Sequence, residues 1–230
     1  MKTVVLCGGK GTRLNELTDK IPKPLIQIGD KPILWHIMNM YRHYGHNDFI
    51  LCLGYKGEEI RSYFRNETKF KITFVDTGID TNKAERIKMT KDLLDSDDFF
   101  VTYGDDLSDV DINKVLEFHK QSGKITTLTA VTPESPFGII KLNSSNEVTE
   151  FKEKPILKEV INGGFYVFNK RIFSFLKEGY DLEKEAFAEL SRRREICAYR
   201  HGGFWKSMNT LKDVIELNEM WTAKNIPWLK

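Results

Sequence analysis

Leu6-Cys7-Gly8-Gly9-Lys10-Gly11-Thr12-Arg13-Leu14 is the stretch whose reading decides the fold. It grows out of Thr3-Val4-Val5-Leu6, a short apolar run of the kind that forms a buried strand. Three glycines in four positions then let the backbone turn tightly and approach a ligand closely. Free amides in such a turn, with Lys10 and Arg13 beside them, make a cradle for phosphate oxygens. Lys23 follows, held between Pro22 and Pro24, which restrict the backbone on either side of it. The spacing is neither the dinucleotide fingerprint G-x-G-x-x-G nor the P-loop pattern G-x-x-x-x-G-K-[ST]. On the residues alone, the turn reads either as a phosphate cradle or as an ordinary glycine-rich turn.

Outward from this turn, composition narrows the class. A chain of 230 residues can bury the core of one large α/β domain or of two fused lobes. Its formal net charge of +2 gives no global pull towards nucleic acid. Cys7, Cys52 and Cys197 lie far apart, which fits a reducing compartment and offers neither a disulfide framework nor a zinc site. The N-terminus enters a strand without a basic-then-apolar leader, and no apolar run is of bilayer length. The expectation is a cytoplasmic protein with no nucleic-acid or membrane partner.

Strands and helices then alternate. A helical segment is predicted from Lys31 to about Tyr44, with Ile33, Ile37, Met40 and Tyr41 facing a core. Strands follow at 48–53 and 70–75, with a helix between them from Glu58 to about Phe64. His43 and His46 straddle Gly45 and read as helix-end or surface histidines rather than metal ligands. Another helix runs through Ile87, Met89 and Leu93, and the strand 99–103 ends in Gly104-Asp105-Asp106. Ligands of open α/β sheets sit beyond the carboxyl ends of strands, so these carboxylates can face the cradle. Hard oxygens beside a triphosphate suit Mg²⁺, the alternative being a solvated acidic turn.

Beyond a helix at 112–121 and a strand at 125–131 the pattern changes to a hairpin at 137–152, then a strand at 161–168. Helices are predicted at 171–176, 182–194 and 211–224, with a short strand at 197–200 and a loop at 201–205. The fold class is α/β: a Rossmann-like, mainly parallel sheet covered on both faces, with a smaller mixed lobe. One domain is expected over 1–230, its lobes meeting near residue 120.

The ordered motifs GGKGTRL (8–14), PKP (22–24), YGDD (103–106), FKEKP (151–155), INGGFYVF (161–168) and GFWKSMNT (203–210) resemble the sugar-phosphate nucleotidyltransferases. Segments 32–57 and 203–221 are most like the glucose-1-phosphate cytidylyltransferases among them. The resemblance implies the nucleotide-diphospho-sugar transferase type of fold. It implies that Leu6, Gly8, Gly9, Gly11, Thr12, Arg13, Lys23 and Gly104 hold the nucleotide, CTP. Arg13 and Lys23 would act on its phosphates, and Asp105 would be catalytic through Mg²⁺. Glu153, Lys154, Asn162 and Gly163 would seat a phosphorylated acceptor in the second lobe, and a homo-oligomer is among the expectations.

The sequence departs from the family at four places. Asn209 stands where a second metal carboxylate is expected, and Asp106, a possible substitute ligand, stands where glycine is usual. The link 66–69 is short, and Lys83-Ala84-Glu85-Arg86 replaces a Gly-Gly-Arg type of segment. These changes point to an acceptor other than glucose 1-phosphate, phosphoglutamine being a candidate, in the synthesis of surface polysaccharide or capsule. Glucose 1-phosphate itself is the alternative. A non-catalytic, nucleotide-sensing regulator is the alternative from another class.

Overall fold

The computed structural model describes residues 1–229, the side chains of 15 and 16 excepted. β1 (Lys2–Leu6) feeds the glycine turn and a short helix, α1 (Asn15–Thr18). Two-residue strands β2 (Gln27–Ile28) and β3 (Lys31–Pro32) precede α2 (Ile33–His43), so the predicted helix begins after Pro32 and not at Lys31. Pro32 sits just outside the helix at φ −70°, ψ 155°, an extended entry that suits proline. Next come β4 (Asp48–Leu53), α3 (Gly57–Phe64), β5 (Lys71–Asp76), α4 (Lys83–Lys88), β6 (Asp98–Tyr103) and β7 (Asp106–Ser108). The second half holds α5 (Ile112–Ser122), β8 (Thr126–Val131), the hairpin β9 (Ile139–Leu142) and β10 (Val148–Lys152), and β11 (Ile161–Asn169). A π-helical turn at Leu182–Phe187 runs into α6 (Ala188–Arg192), followed by β12 (Ile196–His201), β13 (Trp205–Ser207) and α7 (Leu211–Thr222).

Seven strands form one sheet in the order β12-β8-β11-β6-β1-β4-β5. β6, β1, β4 and β5 are mutually parallel, β8 and β12 are parallel to each other, and β11 alone runs antiparallel to its neighbours. The mainly parallel sheet read from the sequence is therefore present. Its apolar runs are continuous because both faces are covered. On one face Val5, Phe49, Leu51, Phe100 and Val167 pack under α2, α3, α5 and α7. On the other Val4, Ile50, Cys52, Val101 and Phe168 pack under α4, the π-helical turn and α6. Ile33, Ile37, Met40 and Tyr41 are all buried, as the helical spacing required.

A buried histidine ties the last helix region to the first. His36 Nε2 lies 2.8 Å from the Ile28 carbonyl, which can only accept, so this nitrogen carries the hydrogen. Nδ1 is then free to accept from Trp228 Nε1 at 3.4 Å. That pairing fits a neutral ring, and burial lowers the His36 pKa to match. The other two histidines of this region stay near the surface: His46 Nε2 pairs with Asn113 Oδ1 at 2.9 Å, and His43 is exposed at the helix end.

Four sequence readings need correction. Trp205, the end of the predicted loop 201–205, opens the strand Trp205–Ser207, and Asp106, the end of the predicted acidic turn, opens its partner Asp106–Ser108. The segment 182–194 opens as a π-helical turn, and the predicted helix at 171–176 is a 3₁₀ turn over Lys170–Ser174. The short link 66–69 lies at the start of β5, where Glu67 accepts from Trp35 Nε1. That is one strand length, roughly 20 Å, from the carboxyl ends where the glycine turn sits.

Candidate active site

The carboxyl ends of β1, β5 and β6 open onto a cleft of about 540 Å³. Leu6, Gly8, Gly9, Gly11, Thr12, Arg13, Lys23 and Gly104, all eight residues expected to hold a nucleotide, line it, together with Asp105. Gly11 has φ +65°, and a Cβ there would fall 3.1 Å from Lys23 Cβ and 3.0 Å from Thr18 Cγ2. The turn is thus packed on the stem of Lys23, which explains why a left-handed residue without a side chain stands at 11.

Lys23 is buried, only 8 % exposed, in a 3₁₀ turn between its two prolines. Its ammonium lies 2.5 Å from Asp105 Oδ2 and 3.1 Å from Asn209 Oδ1. Three residues spread over most of the chain therefore converge on one point. The short ladder of β7 and β13 brings this about: Ser207 pairs with Asp106, and Met208 N donates to Asp105 O at 2.9 Å. The residue after Met208 must then stand beside Asp105. The Asn209 amide is held on both sides, Nδ2 donating to Ser207 Oγ at 2.8 Å and its backbone N to Asp213 Oδ2 at 3.0 Å. Asp213 also closes the capping box of α7 with Thr210, so the helix start fixes the site residue before it.

The donor set fits a hard divalent cation. A carboxylate and an amide oxygen already surround one cationic group, and Mg²⁺ takes the rest of its shell from phosphates and water. Among the described residues no three His, Cys, Asp or Glu side chains gather into a self-sufficient metal site. Asp106 is turned elsewhere. It is 4 % exposed, it does not line the cleft, and its carboxylate packs against the backbone of Gly164. Burial, and secondly the charge of Asp105, pushes its pKa well above the usual carboxylate range.

On the opposite wall stand Ile79 to Asn82 and Asp181, which sequence reasoning passed over, with Tyr103 and with Lys83 and Arg86, which it took only as part of a departure from the family. The signal was available, because residues 77–83 follow the carboxyl end of a parallel strand as Gly8 does. Arg86 is 4 % exposed and joins three loops. Nη1 donates to Leu53 O (3.1 Å) and Thr77 Oγ1 (2.5 Å), and Nη2 to Gly8 O and Ile79 O (both 3.2 Å). A Cβ on Gly8 would fall against Arg86 Nη1 and 2.9 Å from Gly54 N, so this arginine dictates glycine at 8.

The expected acceptor residues divide. Because β11 runs antiparallel to β6, its first residues lie towards the carboxyl end of the sheet, but neither Asn162 nor Gly163 lines the cleft. Asn162 Nδ2 donates to Tyr166 Oη (2.6 Å), Tyr166 to Tyr103 Oη (2.8 Å), and Tyr103 to Glu183, which also pairs with Lys83 at 2.5 Å. The Gly163 carbonyl accepts from Trp205 Nε1 at 2.8 Å. Glu153 and Lys154 are not brought into the cleft. Both are exposed beyond β10, with Lys154 at φ 42°.

Fold and site together define an α/β protein with a cation-lined crevice at the carboxyl edge of its sheet. Residues 2–224 match the family described as Nucleotidyl transferase. The "Probable glucose-1-phosphate cytidylyltransferase" of Bacillus subtilis (strain 168) is 41 % identical over 253 aligned positions, covering 99 % of each chain. The "Glucose-1-phosphate cytidylyltransferase" of Salmonella typhimurium is 39 % identical over 254 positions, covering 99 % of this chain and 98 % of its own. Among solved structures, a putative glucose-1-phosphate thymidylyltransferase from Bacillus anthracis superposes with TM-score 0.75 at 20 % identity, covering 96 % of this chain and 94 % of its own. HddC from Yersinia pseudotuberculosis gives 0.75 at 22 %, covering 96 % and 99 %. These two likenesses show the fold, that of the nucleotide-diphospho-sugar transferases. The chain belongs to the nucleotidyl transferase family and is an enzyme of the nucleotidyltransferase class.

Proposed function

We propose that the protein transfers CMP from CTP to a small phosphorylated acceptor and releases pyrophosphate. The observation that carries this is the meeting of Asp105 and Asn209 on Lys23, whose side chain lines the glycine-rich cleft. An acceptor phosphate oxygen bonds to the α-phosphorus while the bond to the β-phosphate oxygen breaks in line. A phosphate monoester, with a second pKa near ~6, is already largely dianionic at neutral pH, so no general base is required. The task is to hold two mutually repelling polyanions together. Backbone amides from Gly8 to Thr12 receive the phosphates, and Arg13 and Lys23 neutralise them. Asp105 and Asn209 would hold Mg²⁺, which supplies Lewis-acid neutralisation of the phosphate charge. The nucleotide is bound by the half of the chain up to about residue 120 and the acceptor by the half beyond it, in one cytoplasmic domain.

The acceptor we infer is not glucose 1-phosphate, phosphoglutamine being the candidate, in surface polysaccharide or capsule synthesis. Departures at 83–86 and 209 fall on or beside the cleft and support this reading; the short link at 66–69 lies too far away to bear on it. A second reading, glucose 1-phosphate as acceptor, is favoured by the names of the relatives at 39–41 % identity. Side-by-side kcat/KM values with CTP decide between them. Efficient turnover of glucose 1-phosphate overturns the first reading, and turnover only with another small phosphate overturns the second.

A further inference from the structure

We propose that the Lys23 ammonium is a built-in stand-in for the divalent cation, competing with it for Asp105 and Asn209 until a triphosphate draws the ammonium away. The proposal deepens the reading above, because it takes Asp105 and Asn209 as the metal-binding pair. The ammonium lies between the two oxygens that a cation would need, at 2.5 Å and 3.1 Å, so both cannot hold that place together.

Charge makes the competition strong in this chain. One carboxylate and one neutral amide carry a single negative charge, and the ammonium of Lys23 cancels it. A second carboxylate at 209 would add a negative charge to draw the metal in; the asparagine adds none. The lysine side chain is 10 % exposed, so a metal ion arriving alone must strand a buried ammonium without its partners. A triphosphate removes that penalty by offering the ammonium anionic oxygens on the neighbouring glycine turn. The stem need not move, since it is packed against Gly11 and fixed between Pro22 and Pro24. Exchange is therefore a swing of the distal side chain, and metal and nucleotide bind with positive coupling.

Mn²⁺ titrated into nucleotide-free protein, with free Mn²⁺ followed by electron paramagnetic resonance, tests this. Lys23→Met and Lys23→Gln should each bind one Mn²⁺ at least about tenfold more tightly than wild type. The gain should vanish in Lys23→Met/Asp105→Asn. Thermal melts identify the variants that remain folded. In wild type, the ¹⁵Nζ resonance of Lys23 should stay in place with Mg²⁺ alone and shift with Mg²⁺ plus CTP. Unchanged Mn²⁺ affinity in the folded Lys23 variants, a gain that survives loss of Asp105, or a shift with Mg²⁺ alone overturns the proposal. The Mn²⁺ titrations need no turnover: a protein that releases no pyrophosphate yet shows the tightening would refute the transfer reaction and leave the stand-in role intact.

Discussion

Replacing Arg86 with alanine should destabilise the protein by about 3 kcal/mol, and the neighbours of its guanidinium set that figure. Four acceptors lose a charged donor, and hydrogen bonds to charged groups contribute about 1.5–3 kcal/mol each. Their plain sum overstates the loss, because most of the acceptors keep another partner. Leu53 O still receives Thr77 N (2.9 Å) and Thr77 Oγ1 (2.6 Å), and Gly8 O still receives Tyr55 N (3.0 Å). Few acceptors are orphaned, and the cleft admits water to the loop side of the site. Each lost bond then counts at about 0.5–1 kcal/mol, the low end for an exchange with water, so four give about 2–4 kcal/mol. Urea unfolding without ligands measures it. With a slope of ~2–3 kcal/mol per molar, the midpoint should fall by about 1–1.5 M at unchanged slope. Arg86→Lys should recover less than half, since one ammonium cannot span three loops. Because the same bonds hold Gly8, KM for CTP should rise more than kcat falls. A midpoint within about 0.2 M of wild type would refute the reasoning.

Gly8→Ala should cost about 1–3 kcal/mol through the forced shift of Arg86 and the Gly54 backbone, while Gly9→Ala, whose Cβ meets nothing within 4 Å, should melt with wild type. Arg13→Ala should leave the melt unchanged, since the side chain is exposed, and lower kcat/KM by one to two powers of ten, the loss of about 1.5–3 kcal/mol of phosphate contact; wild-type kinetics would remove it from the site. Asp105→Asn should abolish turnover, and Asn209→Asp should bind Mg²⁺ more tightly. Burial lowers the pKa of His36, His46 and His119 below the usual 6.5. The unfolded chain then takes up protons first, so their contribution to stability is complete above about pH 6.5 and declines below it, by up to about 1.4 kcal/mol per pH unit each. Ring titrations by NMR with midpoints above 6.5 would contradict this.

The sheet was legible because parallel strands buried on both faces leave long apolar runs, and the runs ending in Leu6, Leu53 and Tyr103 each do so. The glycine cradle and Asp105 were legible for a related reason: the carboxyl ends of such strands are where ligands lie. What escaped was tertiary. Asp106–Ser108 and Trp205–Ser207 are too short to show a period, and only their pairing across about a hundred residues carries Asn209 to Lys23. Arg86 read as part of a local departure, because nothing in its neighbours announces that it reaches the carbonyl of Gly8. Glu153 and Lys154 were assigned by motif, and a motif does not say where an exposed hairpin places its last turn.

Pyrophosphate release with each of the four nucleoside triphosphates, against a panel of phosphorylated acceptors, tests the central claim most directly. The account predicts release with CTP, dependent on Mg²⁺ and on an acceptor phosphate, and none from Asp105→Asn under the same conditions. Absence of pyrophosphate from every pairing, or equal release by Asp105→Asn, would contradict it.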